Sequence, residues 1–164
     1  AHDTLLDITE GYAYPWKFRL VKLGTSGWSA GEFINFDQNR IVFRLADIIL
    51  LRAECRVRLG NNEGAIADLN TIRERANAEL YHSSEYGGDL RYAIFKEREK
   101  ELLMEGCRWY DVIRNEYYKT ELYGGFRNVS KQDILDGVFF NAVDNNEFSE
   151  NPLARQNTYW LKRM

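Results

Sequence analysis

The spacing of apolar residues predicts a helical hairpin in the middle of the chain. Residues 41–59 carry apolar side chains at helical intervals, and one face consists of Leu45, Ile48, Ile49, Ala53 and Val57. The first half of this helix is apolar on nearly every side, which predicts deep burial of Ile41, Val42, Phe43, Leu50 and Leu51. Residues 62–79 predict a second helix, with the stripe Ala65, Ile66, Leu69, Ile72 and Ala76. Gly60 ends the first helix, and so short a turn favours antiparallel packing.

The segments on either side of this hairpin are less regular. Glycines and a proline interrupt residues 1–39, which predict loops and a strand within residues 14–23. Residues 89–115 predict a long third helix with Asp89 as its N-cap. Gly106 costs this helix about 1 kcal/mol, which indicates that another backbone packs closely there. Residues 121–164 predict loops, a short helix near 130–136 and a strand near 138–143. The predicted fold class is mainly α, a tetratricopeptide-like helical hairpin plus a long helix packed against loop-rich segments with little strand.

The composition excludes several classes of protein. The 164 residues are 45% hydrophobic and 29% charged, which is typical of a globular chain. A net charge of −3 without a basic block argues against a nucleic-acid partner. No apolar run approaches the roughly 18–20 residues that span a bilayer. Aromatic residues reach 14%, which indicates that some are exposed for binding.

Few side chains suggest catalysis or metal binding. The two histidines lie in unrelated loops, and the chain lacks an H-E-x-x-H motif and a phosphate-binding loop, so we expect neither metal nor cofactor. Glu101 and Glu105 are a carboxylate pair of the kind that glycoside hydrolases use. Each has an arginine within helical reach that should keep it ionised, so a structural role is favoured. Cys55 and Cys107 fall in predicted helices, and we expect thiols rather than a disulfide.

The predicted third helix carries a regular pattern of charges. Arg98, Glu101, Glu105 and Arg108 fall on one stripe, three or four residues apart, so opposite charges can pair along the helix. The complete pattern, called the signature residues below, consists of Glu97, Arg98, Glu101, Glu105, Gly106, Arg108, Trp109, Asp111 and Arg114.

This pattern resembles the SusD/RagB family of outer-membrane nutrient-binding lipoproteins. The family's ER-x-x-EL-x-x-EG-x-RW-x-D-x-x-R helix matches residues 97–114 at every fixed position, and its N-x-IR-x-RA motif matches residues 70–76, with Asn70 and Arg73. Residues 14–18 resemble its YP-x-KY segment, and residues 151–157 resemble its terminal NP…QN. Where the family carries a Pro-Ile-Pro strand, this chain has residues 140–143, Phe-Asn-Ala-Val. The resemblance implies that the signature residues are architectural.

The resemblance also implies an organisation and a function. The chain would be the C-terminal region of a protein whose N-terminal part is absent. Its parts would be a loop and hairpin segment (1–39), a tetratricopeptide-like helix pair (40–80), the signature helix (89–118) and a loop-rich segment (121–164). The protein would be no enzyme. It would lie on the extracellular face of the outer membrane, held by a lipid anchor in the missing part. There it would bind glycan or oligopeptide for a SusC-like TonB-dependent transporter.

Trp28, Tyr81 and Tyr86 are the candidate ligand-binding residues. They lie in loops rich in glycine and serine, where exposed rings can stack on the C–H faces of sugars. Packing against the missing part of the protein is the alternative for each. Trp16, Trp109 and Trp160 are predicted core or interface residues. The alternative function is a tetratricopeptide adaptor for a protein partner, but such arrays usually need about three repeats.

Overall fold

A computed structural model of the chain describes residues 21–25, 27–36 and 41–163 and is mainly helical. The chain divides into two compact units, Ala1–Glu105 and Gly106–Met164. The first unit contains the antiparallel strands β1 (Val21–Leu23) and β2 (Phe33–Phe36) and the helices α1 (Leu45–Arg58), α2 (Asn62–Arg75) and α3 (Leu90–Glu101). Most of the strand predicted within residues 14–23 lies outside the described residues, and β1 is its described end.

The turn between α1 and α2 follows from its sequence. Gly60 has a positive φ of 79°, which a glycine adopts without steric cost, so α1 can end there. The N-cap of α2 is Asn61, whose side-chain oxygen accepts a hydrogen bond from the Gly64 backbone N–H at 2.9 Å. A Cβ at position 64 would lie 2.9 Å from the Asn61 side chain, so glycine at that position leaves room for the cap.

The core of the first unit is built where α1 packs against α2 and α3. Each helix contributes three buried residues, and together these are Ala46, Leu50, Ala53, Ala65, Leu69, Ile72, Leu90, Ala93 and Ile94. Four of the nine are alanines, which let the helices approach closely.

The prediction that the first half of the 41–59 helix is deeply buried is confirmed for Leu50 but is wrong for Ile41, Val42 and Phe43, which are exposed. The helix begins only at Leu45, and both Phe43 and Leu45 are about three-quarters exposed. The buried face of α1 instead passes through Ala46, Leu50 and Ala53, because only one side of the helix meets α2 and α3. The exposed apolar residues on and before the first turns are Ile41, Val42, Phe43, Leu45 and Ile48.

The prediction of one long helix over residues 89–115, within a signature-helix segment of residues 89–118, is also wrong. Asp89 caps α3 as predicted, but α3 ends at Glu101, and α4 (Arg108–Arg114) begins only after a turn. Met104 and Gly106 in this turn have φ of +61° and +84°, which a right-handed helix does not allow. A Cβ on Gly106 would meet no atom within 4 Å. Glycine is therefore favoured there by backbone conformation and not by close packing.

The second unit is a set of short helices. They are α4, α5 (Tyr118–Glu121), α6 (Lys131–Asp136), α7 (Asn145–Glu150) and α8 (Thr158–Leu161). The predicted short helix near 130–136 is present as α6, which begins at a capping box between Ser130 and Asp133. The predicted strand near 138–143 is absent. In that segment, the backbone N–H of Val143 donates to the Gln156 side-chain oxygen at 3.2 Å, and the Gln156 side-chain NH₂ donates to the Val143 carbonyl at 3.1 Å.

Candidate functional site

The loop between α2 and α3, residues 76–89, carries two of the three candidate binding residues and is fastened to α2. The Asn70 side-chain oxygen accepts the backbone N–H of Tyr81 at 2.8 Å. One turn further along α2, the buried Arg73 donates two hydrogen bonds to Glu85, at 2.8 and 2.9 Å. Asn70 and Arg73 are two of the three polar residues at fixed positions of the N-x-IR-x-RA motif, so this motif anchors the loop.

Arg73 also binds the next helix. Its Nε donates to Glu97 of α3 at 2.9 Å, and both side chains are more than nine-tenths buried. Hydrogen bonds to Glu85, with further attraction from Glu97, outweigh burial and raise the pKa of Arg73. One guanidinium therefore joins α2, the loop and α3. All three guanidinium nitrogens donate, which requires arginine and not lysine.

The two loop tyrosines are held differently. Tyr81 is half-buried and packs against the core of the first unit. Burial, with the negative charges of Glu85 and Asp89, raises its pKa. Tyr86 is 42% exposed, has a positive φ of 50° and contacts the Tyr92 ring edge-on at 5.2 Å. A non-glycine residue at such a φ is held there by its surroundings, and such conformations cluster at binding sites. Tyr86 is therefore the better placed of the two to meet a ligand.

Trp28 lies on a different loop, between β1 and β2. It occupies a short 3₁₀ turn, Gly27–Ser29, and its side chain is fully exposed. The loop is closed by the backbone hydrogen bonds Gly24 N to Glu32 O at 2.9 Å and Gly31 N to Gly24 O at 3.0 Å. The indole ring is thus presented to solvent on a hydrogen-bonded hairpin end. The structure places the three candidates on two loops of the first unit, and their role in binding stays a prediction.

Acid is expected to weaken the anchor of the α2–α3 loop. Hydrogen bonds from Arg73 lower the pKa of Glu85 from its ordinary 4.5 to about 2. Because folding favours the carboxylate, its stabilisation is complete above pH 4.5 and is lost as pH falls towards 2. We expect Glu85→Gln to remove on the order of 1 kcal/mol of this pH-dependent stability, since solvent screens a partly exposed pair.

Urea unfolding of the wild type and of Glu85→Gln, measured from about pH 6 to about pH 2.5, tests this expectation. The difference between the two proteins should shrink as pH falls. Glu74→Gln, at an exposed position on α2, is the control and should follow the wild type at every pH. A Glu85→Gln variant whose stability parallels that of the wild type over this range would contradict the predicted role.

The glutamate pair of the alternative hydrolase hypothesis is bound by an arginine from outside its helix. Arg44, which precedes α1, donates to Glu105 at 2.7 and 3.0 Å and to both the carboxylate and the backbone carbonyl of Glu101. Burial opposes the charge on Arg44, but hydrogen bonds to Glu105 and Glu101 raise its pKa overall. Arg75 of α2 also binds Glu101. Both carboxylates thus serve to join the end of α3 and the following turn to other parts of the first unit.

Two further signature charges, Arg98 and Arg108, likewise bind residues of other helices. Arg98, which is 2% exposed, donates to the side chain and the backbone carbonyl of Asp47 of α1, at 2.8 and 3.1 Å. In the second unit, Arg108 forms an ion pair with Glu121. The prediction that these charges pair along one helix is therefore corrected. The helix ends at Glu101, and the charges connect separate elements of each unit.

The last two signature charges pair locally. Arg114 binds Asp111, three residues earlier on α4, at 2.7 Å. Asp111 is buried, and its backbone carbonyl accepts a hydrogen bond from the Asn115 side chain at 3.0 Å. This pair stabilises the end of α4.

An aromatic cavity in the second unit was not predicted as a site. Its volume is about 430 Å³, and it is lined by Trp109, Tyr110, Phe126, Val138, Phe139, Phe140, Asn141 and Trp160. The Trp109 ring contacts Phe126 and Phe139 edge-on, at 5.3 and 6.0 Å. Trp109 and Trp160 were predicted as core or interface residues, and both are half-buried. Helical spacing cannot reveal this cavity, because its residues come from four separated segments of the chain.

In the described part of the chain, possible metal ligands do not cluster in threes and the two cysteines are not joined. No group of three or more His, Cys, Asp or Glu side chains is placed there to hold a metal ion. Cys55 is exposed and Cys107 is half-buried, and no disulfide joins them. Of the helices in residues 41–163, none is both long and apolar enough to cross a membrane.

Comparison with known proteins gives a consistent result. The model of the SusD family matches residues 7–161. The chain is 33% identical over 124 residues to SusD-like protein P38 of Formosa agariphila, covering 70% of this chain and 24% of that protein. It is 45% identical over 85 residues to SusD-like protein P25 of the same organism, covering 49% and 16%.

A solved structure is similar as well. The crystal structure of a SusD-like protein from Bacteroides fragilis aligns with a TM-score of 0.56 and 28% identity, over 75% of this chain and 26% of that one. The chain thus spans about a quarter or less of the length of these relatives. Since the family model covers nearly all of the sequence, and relatives and fold agree with it, the chain belongs to the SusD family.

Proposed function

We propose that this protein binds glycan nutrients at the cell surface and does not transform them. The observation that carries the proposal is the family match over residues 7–161. The exposed rings of Trp28 and Tyr86 support it, because aromatic faces complement the C–H faces of sugars. The anchored α2–α3 loop supports it too, since a ring held in place before binding loses less entropy on complex formation. An oligopeptide is the second ligand class that this function allows.

The proposal extends to location and partner. The protein would lie on the extracellular face of the outer membrane, attached by a lipid anchor, and would deliver its ligand to a SusC-like TonB-dependent transporter. Affinity purification of the tagged protein from detergent-solubilised membranes of its native host tests this proposal. Recovery of a TonB-dependent transporter is the expected result. Recovery of the protein in the soluble fraction without a transporter would contradict it.

Absence of catalysis is the second part of the proposal. Arg44 forms an ion pair with the carboxylate of Glu101 and another with that of Glu105. Carboxylates that bind an arginine in this way are poorly placed to act on a glycosidic bond. Incubation of the protein with any glycan that it binds should produce no new reducing ends. Hydrolysis that disappears in both Glu101→Gln and Glu105→Gln would restore the hydrolase hypothesis.

Loss of an exposed ring should weaken glycan binding. We expect Trp28→Ala and Tyr86→Ala each to raise the Kd about threefold to tenfold, the effect of losing one stacking contact of about 0.5–1.5 kcal/mol. Titration calorimetry with a glycan that the protein binds gives the Kd, and circular dichroism checks the fold. Tyr81 packs on the core, so Tyr81→Ala would also change stability. At that position only Tyr81→Phe, which keeps the ring and removes the hydroxyl, is informative about binding.

Tyr123→Ala is the matched control for these variants. Tyr123 is also an exposed aromatic residue, but it lies in the second unit. Unchanged affinity in Trp28→Ala and Tyr86→Ala, with binding by the wild type intact, would contradict the assignment of these two residues and leave the proposed function standing.

A further inference from the structure

We propose that the aromatic cavity of the second unit is a binding subsite for uncharged sugar rings. This inference rests on the proposed glycan-binding function and assigns it a second location, apart from Trp28, Tyr81 and Tyr86. The cavity's volume of about 430 Å³ falls within the range of about 300–1,000 Å³ that is usual for small-ligand pockets.

The walls of the cavity are held in place. Trp109, Phe126 and Phe139 form a cluster of mutual ring contacts, and Phe139 also meets Tyr118 at 5.1 Å. The indole N–H of Trp160 donates to the backbone carbonyl of Phe140 at 2.7 Å. This hydrogen bond fixes the Trp160 ring and the segment that carries Phe140. A ligand would therefore meet rings that are already positioned, which reduces the entropy lost on binding.

The mouth of the cavity combines exposed rings with polar groups. Tyr110 and Phe140 are each about 70% exposed although both line the cavity. The Tyr110 hydroxyl and the Asn141 side-chain amide are hydrogen-bonding groups of the lining, and both residues are exposed. Ring faces with a few adjacent hydrogen-bonding groups match a pyranose, which has an apolar C–H face and polar hydroxyls at its edge.

Charge selects among the ligands that could enter. None of the eight lining residues is charged. A uronic acid or a sulfated sugar would therefore lose its hydration without gaining a counter-charge, which is unfavourable. An extended peptide is also a poor match, because it brings one N–H and one C=O per residue and most of the lining side chains are apolar rings. An uncharged sugar ring can leave its hydroxyls in water at the open mouth.

The experiment uses the full 164-residue chain. Affinity electrophoresis measures its retention in gels that contain amylopectin, laminarin or galactomannan, which are uncharged, or alginate or polygalacturonate, which are anionic. Phe140→Ala and Tyr110→Ala remove exposed rings, so circular dichroism should show an unchanged fold. Trp160→Phe keeps a ring and loses the N–H group that binds Phe140. Tyr123→Ala removes a ring that is just as exposed in the same unit but outside the cavity lining.

We expect retention by at least one uncharged polysaccharide, with Kd raised about threefold to tenfold in Phe140→Ala and in Tyr110→Ala and raised further in the double variant. Trp160→Phe should show a smaller increase. Tyr123→Ala should stay within about twofold of the wild type.

Several outcomes would overturn the inference. Retention by an uncharged polysaccharide that Phe140→Ala and Tyr110→Ala leave unchanged would refute the cavity as a subsite and leave the proposed function intact. Retention by the anionic polysaccharides alone would refute the preference for uncharged sugars. Binding of a tryptic casein digest that these variants abolish, with no polysaccharide retained, would identify a peptide site instead. No retention in any gel and no peptide binding would count against both the subsite and the proposed function.

Discussion

Replacing Arg73 with alanine is expected to lower the free energy of unfolding by about 3–5 kcal/mol. The substitution leaves the buried carboxylate of Glu97 without this guanidinium and breaks both hydrogen bonds to Glu85. A buried charge that loses its partner carries the full cost of its desolvation, and this cost exceeds the value of a typical surface pair. Urea unfolding at neutral pH, followed by circular dichroism, measures the change.

Two further variants make this result specific. Arg73→Lys keeps the charge but cannot reproduce the fork of hydrogen bonds to Glu85 and Glu97, so its stability should lie between those of alanine and wild type. Arg75→Ala, two residues along α2, removes a mostly exposed arginine whose partner Glu101 also binds Arg44. It should cost about 1 kcal/mol or less. Equal effects of Arg73→Ala and Arg75→Ala would show that the Glu97 carboxylate is not buried in solution.

The ion pair between Arg98 and Asp47 is expected to show strong coupling. Both side chains are more than nine-tenths buried, and they join α1 to α3. Arg98→Met and Asp47→Leu should each cost about 3–5 kcal/mol, because each leaves a buried charge without this partner. The double variant should be more stable than the sum of the two losses predicts, by at least about 2 kcal/mol, since the apolar side chains then face each other.

A double-mutant cycle in urea provides this measurement. Lys100→Met, at an exposed position of α3, is the control and should change stability by less than about 0.5 kcal/mol. Additive effects of the two core substitutions would mean that Arg98 and Asp47 do not act as a pair. In that case the resemblance would still identify the family, but the proposed reason for the arginine in its motif would be wrong.

These expected effects give the family's motifs a physical role. Asn70 and Arg73 fix the loop that carries Tyr81 and Tyr86, and Arg98 fixes α3 against α1. Arginine–carboxylate hydrogen bonds are directional, so they define one arrangement of loop and helices more narrowly than apolar contacts do. The proposed glycan-binding surface would need such order, because a disordered ring would lose entropy when a sugar stacks on it.

Local sequence determined much of what this chain forms. The helical period of Ala65, Leu69 and Ile72 predicts α2, and Gly60 predicts the turn before it, because both signals act through nearby residues alone. The capping residue Asp89 and the short helix near 130–136 follow for the same reason. The order of the motifs also sufficed to identify the family.

Tertiary structure decided which helix faces are buried, where α3 ends and which distant residues meet, because local sequence signals do not contain this information. Which face of α1 is buried depends on where α2 and α3 pack, so Leu45 and Ile48 are exposed although their spacing is that of a core stripe. The helix ends after Glu101 because Met104 and Gly106 adopt positive φ, and the spacing of the charged residues gives no sign of this change in backbone conformation. The partners of Arg44, Arg73 and Arg98, and the cavity around Trp109 and Trp160, join residues far apart in the chain. Periodicity reports only near neighbours, whereas burial and ion pairing are properties of the folded arrangement.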